Sequence, residues 1–294
     1  MFTKKISIKK YTVFIFVMIL FMFYVWGYFS HRNQIFPYQQ LRKINVLFLN
    51  ILKKDFPEND RYHDLSSKTK IKCSKLAPVI LVTGQSNSAN HTLSEKYENL
   101  SHLNYFNGKC YKLSNPVLGA EGNKQSVVPA IASKLQLSSK YIFLTTGWGG
   151  TSITSWGKDN SELSEYTNKN LKELNDLGHQ LRAAIWIQGA ADIHSGINYI
   201  FYFNKMKSQI LKGLENKDDV KFIITKHSIC DFDRIDNEIN VQKKYLAKKE
   251  KNIFFTEVLG NLDSNYRYDG CHFNKFGTEE IAKEISSILN NILR

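Results

Sequence analysis

Residues 78–88 read PVILVTGQSNS, an apolar run that stops at a glycine and continues into four polar side chains. Val and Ile favour extended backbone, and a short unbroken apolar run is typical of a strand that is covered on both faces. Four later runs have a similar composition and length, at 141–146, 183–188, 220–225 and 252–256. The sequence therefore predicts five buried strands, of which 78–83 is the first.

Helical patterns separate these strands. They cover residues 126–137, 161–177, 199–214 and 237–249, and a last one at 278–293 follows the fifth strand. Strands that alternate with helices predict an α/β fold in three layers, with a parallel central sheet between two layers of helices. Ligands of such sheets bind beyond the carboxyl ends of the strands. The residues that directly follow each strand are therefore the candidates for a functional site.

The N-terminal segment has a different character. No charged residue occurs between Tyr11 and Phe29, and a helix of this length rises about 28 Å, close to the thickness of a bilayer's hydrocarbon core. Four lysines precede this run, whereas only His31 and Arg32 closely follow it. This charge bias predicts a cytoplasmic N-terminus and an exported remainder.

A cleaved signal peptide is the alternative interpretation of the same segment. It would have a shorter apolar run and a cleavage site of small residues, and GYFSHRN at 27–33 contains no convincing one. We therefore predict an uncleaved single-pass anchor over residues 1–30. The abundance of Lys, Asn and Ile favours a bacterial periplasm or cell surface over a eukaryotic lumen as the location of the exported part.

The exported part divides into two regions. Residues 31–77 are predicted to form a membrane-proximal helix at 37–54 and a linker at 55–75. Residues 78–294 contain all five predicted strands and form the predicted folded domain.

The chain of 294 residues has a formal net charge of +13, which raises nucleic acid, anionic membranes and acidic glycans as partners. No basic run interleaved with aromatic residues forms a nucleic-acid motif, so nucleic acid is not an expected partner. The 43% of hydrophobic residues excludes a disordered chain. The sequence does not predict an oligomeric state.

The four cysteines lie beyond the anchor, at Cys73, Cys110, Cys230 and Cys271. In an oxidising compartment an even number predicts two disulfides, with three pairings open, while free buried thiols are the alternative. A bond between Cys230 and Cys271 would join two segments close to the candidate site. The cysteine spacing fits no zinc pattern, and neither a metal nor a cofactor is predicted.

The residues after the first two strands can carry chemistry. Ser86 follows the first strand within Gly-Gln-Ser-Asn, where a sharp turn into a helix would expose its hydroxyl beside backbone N–H groups. The second strand runs into GWGGTSI at 147–153, and glycines there allow a backbone N–H to approach a substrate closely.

Two further segments complete the candidate set. Gln188 follows the third strand and could direct a side-chain N–H at a developing oxyanion. Near the C-terminus, Asp269 precedes His272 by three residues, so that the carboxylate could bind one imidazole nitrogen and leave the other to act as a base.

Together these segments resemble the SGNH hydrolase superfamily, and more narrowly its sialate O-acetylesterase and carbohydrate-esterase branch. The shared motifs are Gly-Gln-Ser-Asn, Gly-Gly-Thr-Ser-Ile before a Trp, Trp-x-Gln-Gly and Asp-x-x-His-Phe, and they occur here in the family's order within residues 78–294. The resemblance implies a flavodoxin-like strand order. It also implies metal-free hydrolysis of an ester, usually an O-acetyl group on a sugar, with an O-acylated glycan as substrate.

The resemblance also implies roles for individual residues. Ser86 matches the nucleophile, His272 the general base, and Asp269 the residue that orients the histidine. The oxyanion hole matches the N–H groups of Ser86 and of Gly150 or Gly149, together with the side chain of Gln188. Further candidates for substrate contact are Gln85, Asn87 and Gly149, and one indole of Trp148, Trp156 and Trp186, which could stack on a sugar ring.

One position departs from the family pattern. Many relatives carry Glu after Gln-Gly, where this chain has Ala190, which places more reliance on Asp269. For Asp192 we expect a structural role as a helix N-cap, and for His91 a position facing solvent.

Three functions remain open at this point. The first is a membrane-anchored carbohydrate O-acetylesterase. The second is an O-acetyltransferase that uses the same residues. The third is a non-catalytic glycan-binding or assembly protein on the same fold.

Overall fold

The computed structural model describes residues 3–33, 36–38, 40–41, 56–98, 100–193, 195–226, 230, 237–257 and 262–294. The chain divides into two compact units, Met1–Lys53 and Lys54–Arg294. The first contains helix α1, Thr3–Asn33. Within it, Thr12–Arg32 is long and apolar enough to cross a membrane, by length and composition alone. The predicted helix at 37–54 lies largely outside the described residues.

The second unit is built on an eight-stranded sheet. Its strands are β1 Lys70–Ile71, β2 Val79–Gly84, β3 Leu103–Phe106, β4 Lys109–Lys112, β5 Ile142–Thr145, β6 Leu181–Ile187, β7 Lys221–Thr225 and β8 Ile253–Thr256. Their order is β1-β4-β3-β5-β2-β6-β7-β8. The β1–β4 and β3–β4 pairs are antiparallel, and all other neighbours are parallel.

All five predicted strands are present. Numbered among themselves along the chain, they stand in the order 2-1-3-4-5, which is the flavodoxin-like arrangement. β2 is therefore the central strand, with β5 on one side and β6 on the other. Crossovers leave β2 in opposite directions at this point, and the crevice that results beyond its carboxyl end is where such folds bind ligands.

Helices cover both faces of the sheet. Their bounds are α2 Val128–Ser133, α3 Ile153–Gly157, α4 Glu162–Asp176, α5 Tyr199–Ile210, α6 Asn237–Lys249 and α7 Lys275–Ile292. Buried residues of α3 to α6 pack on one face of the sheet, and those of α2 and α7 pack on the other. The three-layer arrangement is thus confirmed, because helices pack on both faces of the sheet.

The sequence analysis missed a β-hairpin. β3 and β4 are joined by Asn107 and Gly108, both with positive φ, at 47° and 72°. Asn-Gly is the preferred pair for such two-residue turns, because both positions need left-handed backbone. This signal was present in the sequence.

The folded unit begins earlier than expected, so the predicted linker is wrong for the described residues 56–75. β1 pairs with β4, and the Cys73–Cys110 disulfide fastens the same segment to the sheet. Arg61 is 2% exposed, donates hydrogen bonds to the carbonyls of Gly119 and Thr146, and lies 3.8 Å from the ring centroid of Tyr166. This buried cation ties the segment to the folded unit.

Candidate active site

Ser86 lies at the carboxyl end of the central strand. β2 ends at Gly84, whose φ is +126° and where a Cβ would stand 2.3 Å from the carbonyl oxygen of Ile187. Only glycine fits this turn, which leads into a 3-10 helix at Ser86–Ser88. The turn directs the chain from β2 into the crevice, and Ser86 is 6% exposed there.

His272 and Asp269 form a hydrogen-bonded pair. Asp269 Oδ2 lies 2.7 Å from His272 Nδ1, while its Oδ1 accepts the backbone N–H groups of Cys271 and His272. Burial opposes ionisation of this carboxyl, but the hydrogen bonds from His272 and Cys271 outweigh it and lower the pKa of Asp269. The carboxylate can therefore hold the imidazole with its proton on Nδ1, leaving Nε2 to accept one.

The serine and histidine segments are fastened together by Asn87. Its side chain receives the N–H of Phe273 at 3.3 Å and donates to the carbonyl of Cys271 at 3.4 Å. The residue after Ser86 therefore binds both neighbours of His272. The Ser86 hydroxyl itself makes no hydrogen bond to any described residue.

The candidate oxyanion hole includes the backbone N–H groups of Ser86 and of Gly150 or Gly149. Among the described residues, neither the N–H of Ser86 nor that of Gly150 has an acceptor. The N–H of Gly149 is occupied, because it donates to Glu121 Oε2 at 2.9 Å. Of the two glycines proposed for an oxyanion hole, Gly150 is thus the one that can donate.

Gln188 does not face the crevice in this structure. Its side-chain nitrogen donates to the carbonyl of Thr151 at 3.2 Å and to Asp192 Oδ2 at 2.5 Å, and its oxygen accepts the hydroxyl of Tyr199 at 2.9 Å. Both amide hydrogens are therefore used inside the protein. The assignment of Gln188 to an oxyanion hole is not supported in this conformation.

Asp192 was expected to cap the N-terminus of a helix. Its carboxylate does accept hydrogen bonds at a helix N-terminus, but the helix is α3, which precedes Asp192 in the chain. Asp192 accepts the N–H of Ile153 and the hydroxyl of Ser152, at the first turn of α3. It is fully buried, and desolvation raises its pKa. Ala190, where the family pattern has Glu, is also buried.

The tryptophan prediction is wrong. Trp148 is 5% exposed and packs edge-on against Phe56, while Trp156 and Trp186 are fully buried and pack against each other. Both lie in the core cluster under the helical layer. None of the three indoles therefore offers a face to a sugar.

The side chains of Gln85 and Asn87 form hydrogen bonds with backbone groups and do not lie on an open surface. Gln85 Oε1 accepts the N–H groups of Gly189 and Ala191, which joins the end of β2 to the segment after β6. Asn87 is fully buried in the contacts described above. Both residues thus join chain segments that meet near the carboxyl end of β2.

The sequence analysis missed the surroundings of His272. His91 does not simply face solvent: its ring stacks on His272 with centroids 5.4 Å apart, and its Nε2 lies 2.6 Å from Glu121 Oε2. Tyr268 stacks on His272 with a centroid distance of 6.0 Å. No sequence signal linked His91 to Glu121, because the two are far apart along the chain and carry no motif.

The structure resolves the cysteine pairing. Cys73 bonds to Cys110, and Cys230 bonds to Cys271, directly before His272. Two disulfides are typical of proteins in an oxidising compartment. Within the described residues, no group of three or more His, Cys, Asp or Glu side chains could hold a metal ion.

A buried lysine forms hydrogen bonds with the backbone at the ends of β6 and β7. Lys243 Nζ donates to the carbonyls of Gln188 and Thr225, and burial lowers the pKa of Lys243 to about 7. The unfolded chain keeps this proton up to about pH 10.5, so between these values the unfolded state binds more protons than the folded state. Burial of the protonated lysine therefore costs stability at low pH, and the free energy of unfolding rises as pH increases from about 7 towards 10.5, by at most about 1.4 kcal/mol per pH unit.

We expect this slope to be lost in Lys243→Met, as measured by urea unfolding between pH 7 and 9.5. The matched control is Lys244→Met, because Lys244 is half exposed and pairs with Glu257 at the surface. Parallel pH profiles for wild type and Lys243→Met would contradict the assignment.

Comparison with solved structures identifies the fold. The chain resembles an Arabidopsis thaliana protein, AT4G34215, with a TM-score of 0.58 and 17% identity over 72% of this chain and 96% of that one. It resembles NanS with a TM-score of 0.56 and 12% identity over 76% of this chain and 99% of that one. The chain shares the α/β fold of these two structures.

A third similar structure is Est24, a carbohydrate acetylesterase from Sinorhizobium meliloti, at a TM-score of 0.48 and 15% identity over 74% of this chain and 99% of that one. No protein-family model matches the sequence, and no curated protein matches it. At these identities the likeness to AT4G34215 and NanS shows a shared fold alone, and the activity has to be argued from the site.

Proposed function

We propose that this protein is a carbohydrate O-acylesterase, acting chiefly on O-acetyl groups, with Ser86 as the nucleophile. The observation that carries the proposal is the Asp269–His272 pair, which Asn87 fastens beside Ser86 at the carboxyl end of the central strand. A serine, an imidazole and a carboxylate in series are the groups that acyl transfer needs.

The reaction follows from these groups. Ser86 Oγ attacks the acyl carbonyl while His272 Nε2 takes the hydroxyl proton, and Asp269 stabilises the imidazolium that forms. The carbonyl oxygen becomes an oxyanion, which the N–H groups of Ser86 and Gly150 can stabilise. The bond from the acyl carbon to the sugar oxygen then breaks, and His272 returns the proton to that oxygen.

Water completes the cycle. His272 takes a proton from a water molecule, whose oxygen attacks the acyl group on Ser86. The bond to Ser86 Oγ breaks, the serine recovers its proton from His272, and the free acid leaves. Apart from the ester and the water molecule, each step uses groups that this chain supplies.

The carbohydrate substrate is supported by the four ordered motifs, which resemble those of the carbohydrate-esterase branch. The acyl group is proposed to be acetyl on the same basis. The site is open at Gly150, which is exposed, so that an ester carried on a larger glycan can reach it.

The proposal includes an exported location. The lysines before the candidate span favour a cytoplasmic N-terminus, and the two disulfides fit an oxidising compartment beyond the membrane. A C-terminal alkaline phosphatase fusion, which is active only after export, tests this orientation; an inactive fusion that accumulates in full would contradict it.

The activity is tested with the full chain in detergent, by release of p-nitrophenol from p-nitrophenyl acetate and of acetate from a panel of O-acetylated polysaccharides. We expect both releases, since the nucleophile attacks the acyl carbonyl whatever the leaving group. Transfer of acetyl to an acceptor sugar would identify a transferase, and glycan binding without any turnover would identify a binding protein.

A further inference from the structure

We propose that His91 and Glu121 are positioning residues of this site, which hold the catalytic imidazole and the oxyanion-stabilising loop in one arrangement. The inference rests on the proposed function and extends it. Neither residue belongs to the motifs that predicted the site.

A single carboxylate oxygen joins two parts of the site. Glu121 Oε2 accepts the N–H of Gly149 at 2.9 Å and lies 2.6 Å from His91 Nε2. Gly149 directly precedes Gly150, whose N–H has no acceptor among the described residues. The position of that N–H therefore depends on the hydrogen bond that Glu121 accepts.

His91 also contacts the catalytic imidazole, because its ring stacks on the ring of His272. The His91 ring stacks on it at 5.4 Å with an interplanar angle of 25°, and Tyr268 stacks on it at 6.0 Å with the same angle. The Tyr268 hydroxyl donates to the carbonyl of His91 at 3.0 Å. Asp269 binds one edge of His272 at Nδ1, so ring contacts and edge contact together restrict its rotation.

Gly122 and Gly149 pack closely against the side chains of His91 and Glu121. A Cβ on Gly122 would stand 2.7 Å from His91 Nε2, and one on Gly149 would stand 2.8 Å from Glu121 Oε2. Backbone bonds from Asn90 to Glu121 and from Glu121 to Gly147 hold the same segments. About a quarter of each side chain is exposed, at 26% and 22%.

The consequence for catalysis is geometric. Acylation needs His272 Nε2 near the Ser86 hydroxyl and the Gly150 N–H near the developing oxyanion at the same time. Misplacement of a reacting group by about 1 Å can cost about 10²-fold in rate. Loss of Glu121 would release both groups, whereas the binding of substrate in the ground state would change little.

The test compares Glu121→Ala, Glu121→Gln and His91→Ala in the full chain, with p-nitrophenyl acetate as substrate and circular dichroism melting as the measure of folding. We expect Glu121→Ala and His91→Ala to lower kcat about 10- to 100-fold with KM within about threefold of wild type. Glu121→Gln should recover most of this loss, because its amide oxygen can accept both hydrogen bonds.

The matched control is Glu95→Ala, since Glu95 forms an exposed pair with Lys275 and should keep wild-type kcat. Unchanged kcat in Glu121→Ala, or a loss that follows the unfolded fraction, would overturn this inference alone. A loss in Glu121→Gln equal to that in Glu121→Ala would overturn it too, because the charge and not the geometry would then matter. A wild-type chain without turnover would overturn the proposed function and this inference together.

Discussion

Ser86→Ala is expected to lower kcat for p-nitrophenyl acetate by about 10³-fold or more, to near the background rate of hydrolysis. The hydroxyl is the group that forms the covalent intermediate, and the oxyanion donors alone supply only a small part of the acceleration. The free N–H groups of Ser86 and Gly150 remain in the variant, so residual activity above water is compatible with the proposal. Initial rates with the full chain in detergent measure the effect.

The matched control lies two residues further on. The Ser88 hydroxyl donates to the carbonyl of Gln85 at 2.6 Å and is fully buried, so it is held within the turn. The folded fraction of the Ser88→Ala variant should therefore keep most of the wild-type activity. Wild-type rates in Ser86→Ala, or an acetyl adduct found by mass spectrometry on a residue other than Ser86, would remove Ser86 as the nucleophile.

Asp269→Asn is expected to lower kcat by about 10² to 10⁴-fold with little change in KM. The asparagine oxygen can still accept the N–H groups of Cys271 and His272, so the loop should keep its shape. Its amide group, however, cannot stabilise the imidazolium and favours the wrong tautomer of His272. Asp269 and His272 are partly exposed, at 40% and 22%, which favours the lower part of that range.

Asp263→Asn serves as the control for this variant. Asp263 accepts the N–H of Asn265 at the surface of the same region and takes no part in the site. Thermal melting of both variants separates a catalytic effect from unfolding. An Asp269→Asn chain that melts like wild type and keeps its kcat would show that His272 is oriented by another group.

Local sequence accounts for the features that could be predicted. Each strand is a short apolar run, so 78–83, 141–146 and the later runs were recognisable without any neighbour. The pairing of Asp269 with His272 was predictable for the same reason, since the two are three residues apart in one loop. The Asn107-Gly108 turn is likewise a local signal, because the preference for this pair lies in two adjacent residues.

Contacts between distant residues account for what could not be predicted. An apolar indole such as Trp148 suits a sugar-binding surface and a core equally well, and only packing against Phe56 places it in the core. Gln188 has the composition of an oxyanion donor, but Tyr199 and Asp192 turn its side chain inward.

By itself, the sequence determined the α/β alternation, the position of Ser86 after the first predicted strand and the carboxylate–imidazole pair, because propensity and short spacing act within a few residues. Only the tertiary structure decided that the folded unit begins before the first predicted strand, that Glu121 accepts the N–H of Gly149, and that the ring of His91 stacks on His272. Those features depend on which side chains meet across the sheet edge, and segments tens of residues apart come together only when the core has packed.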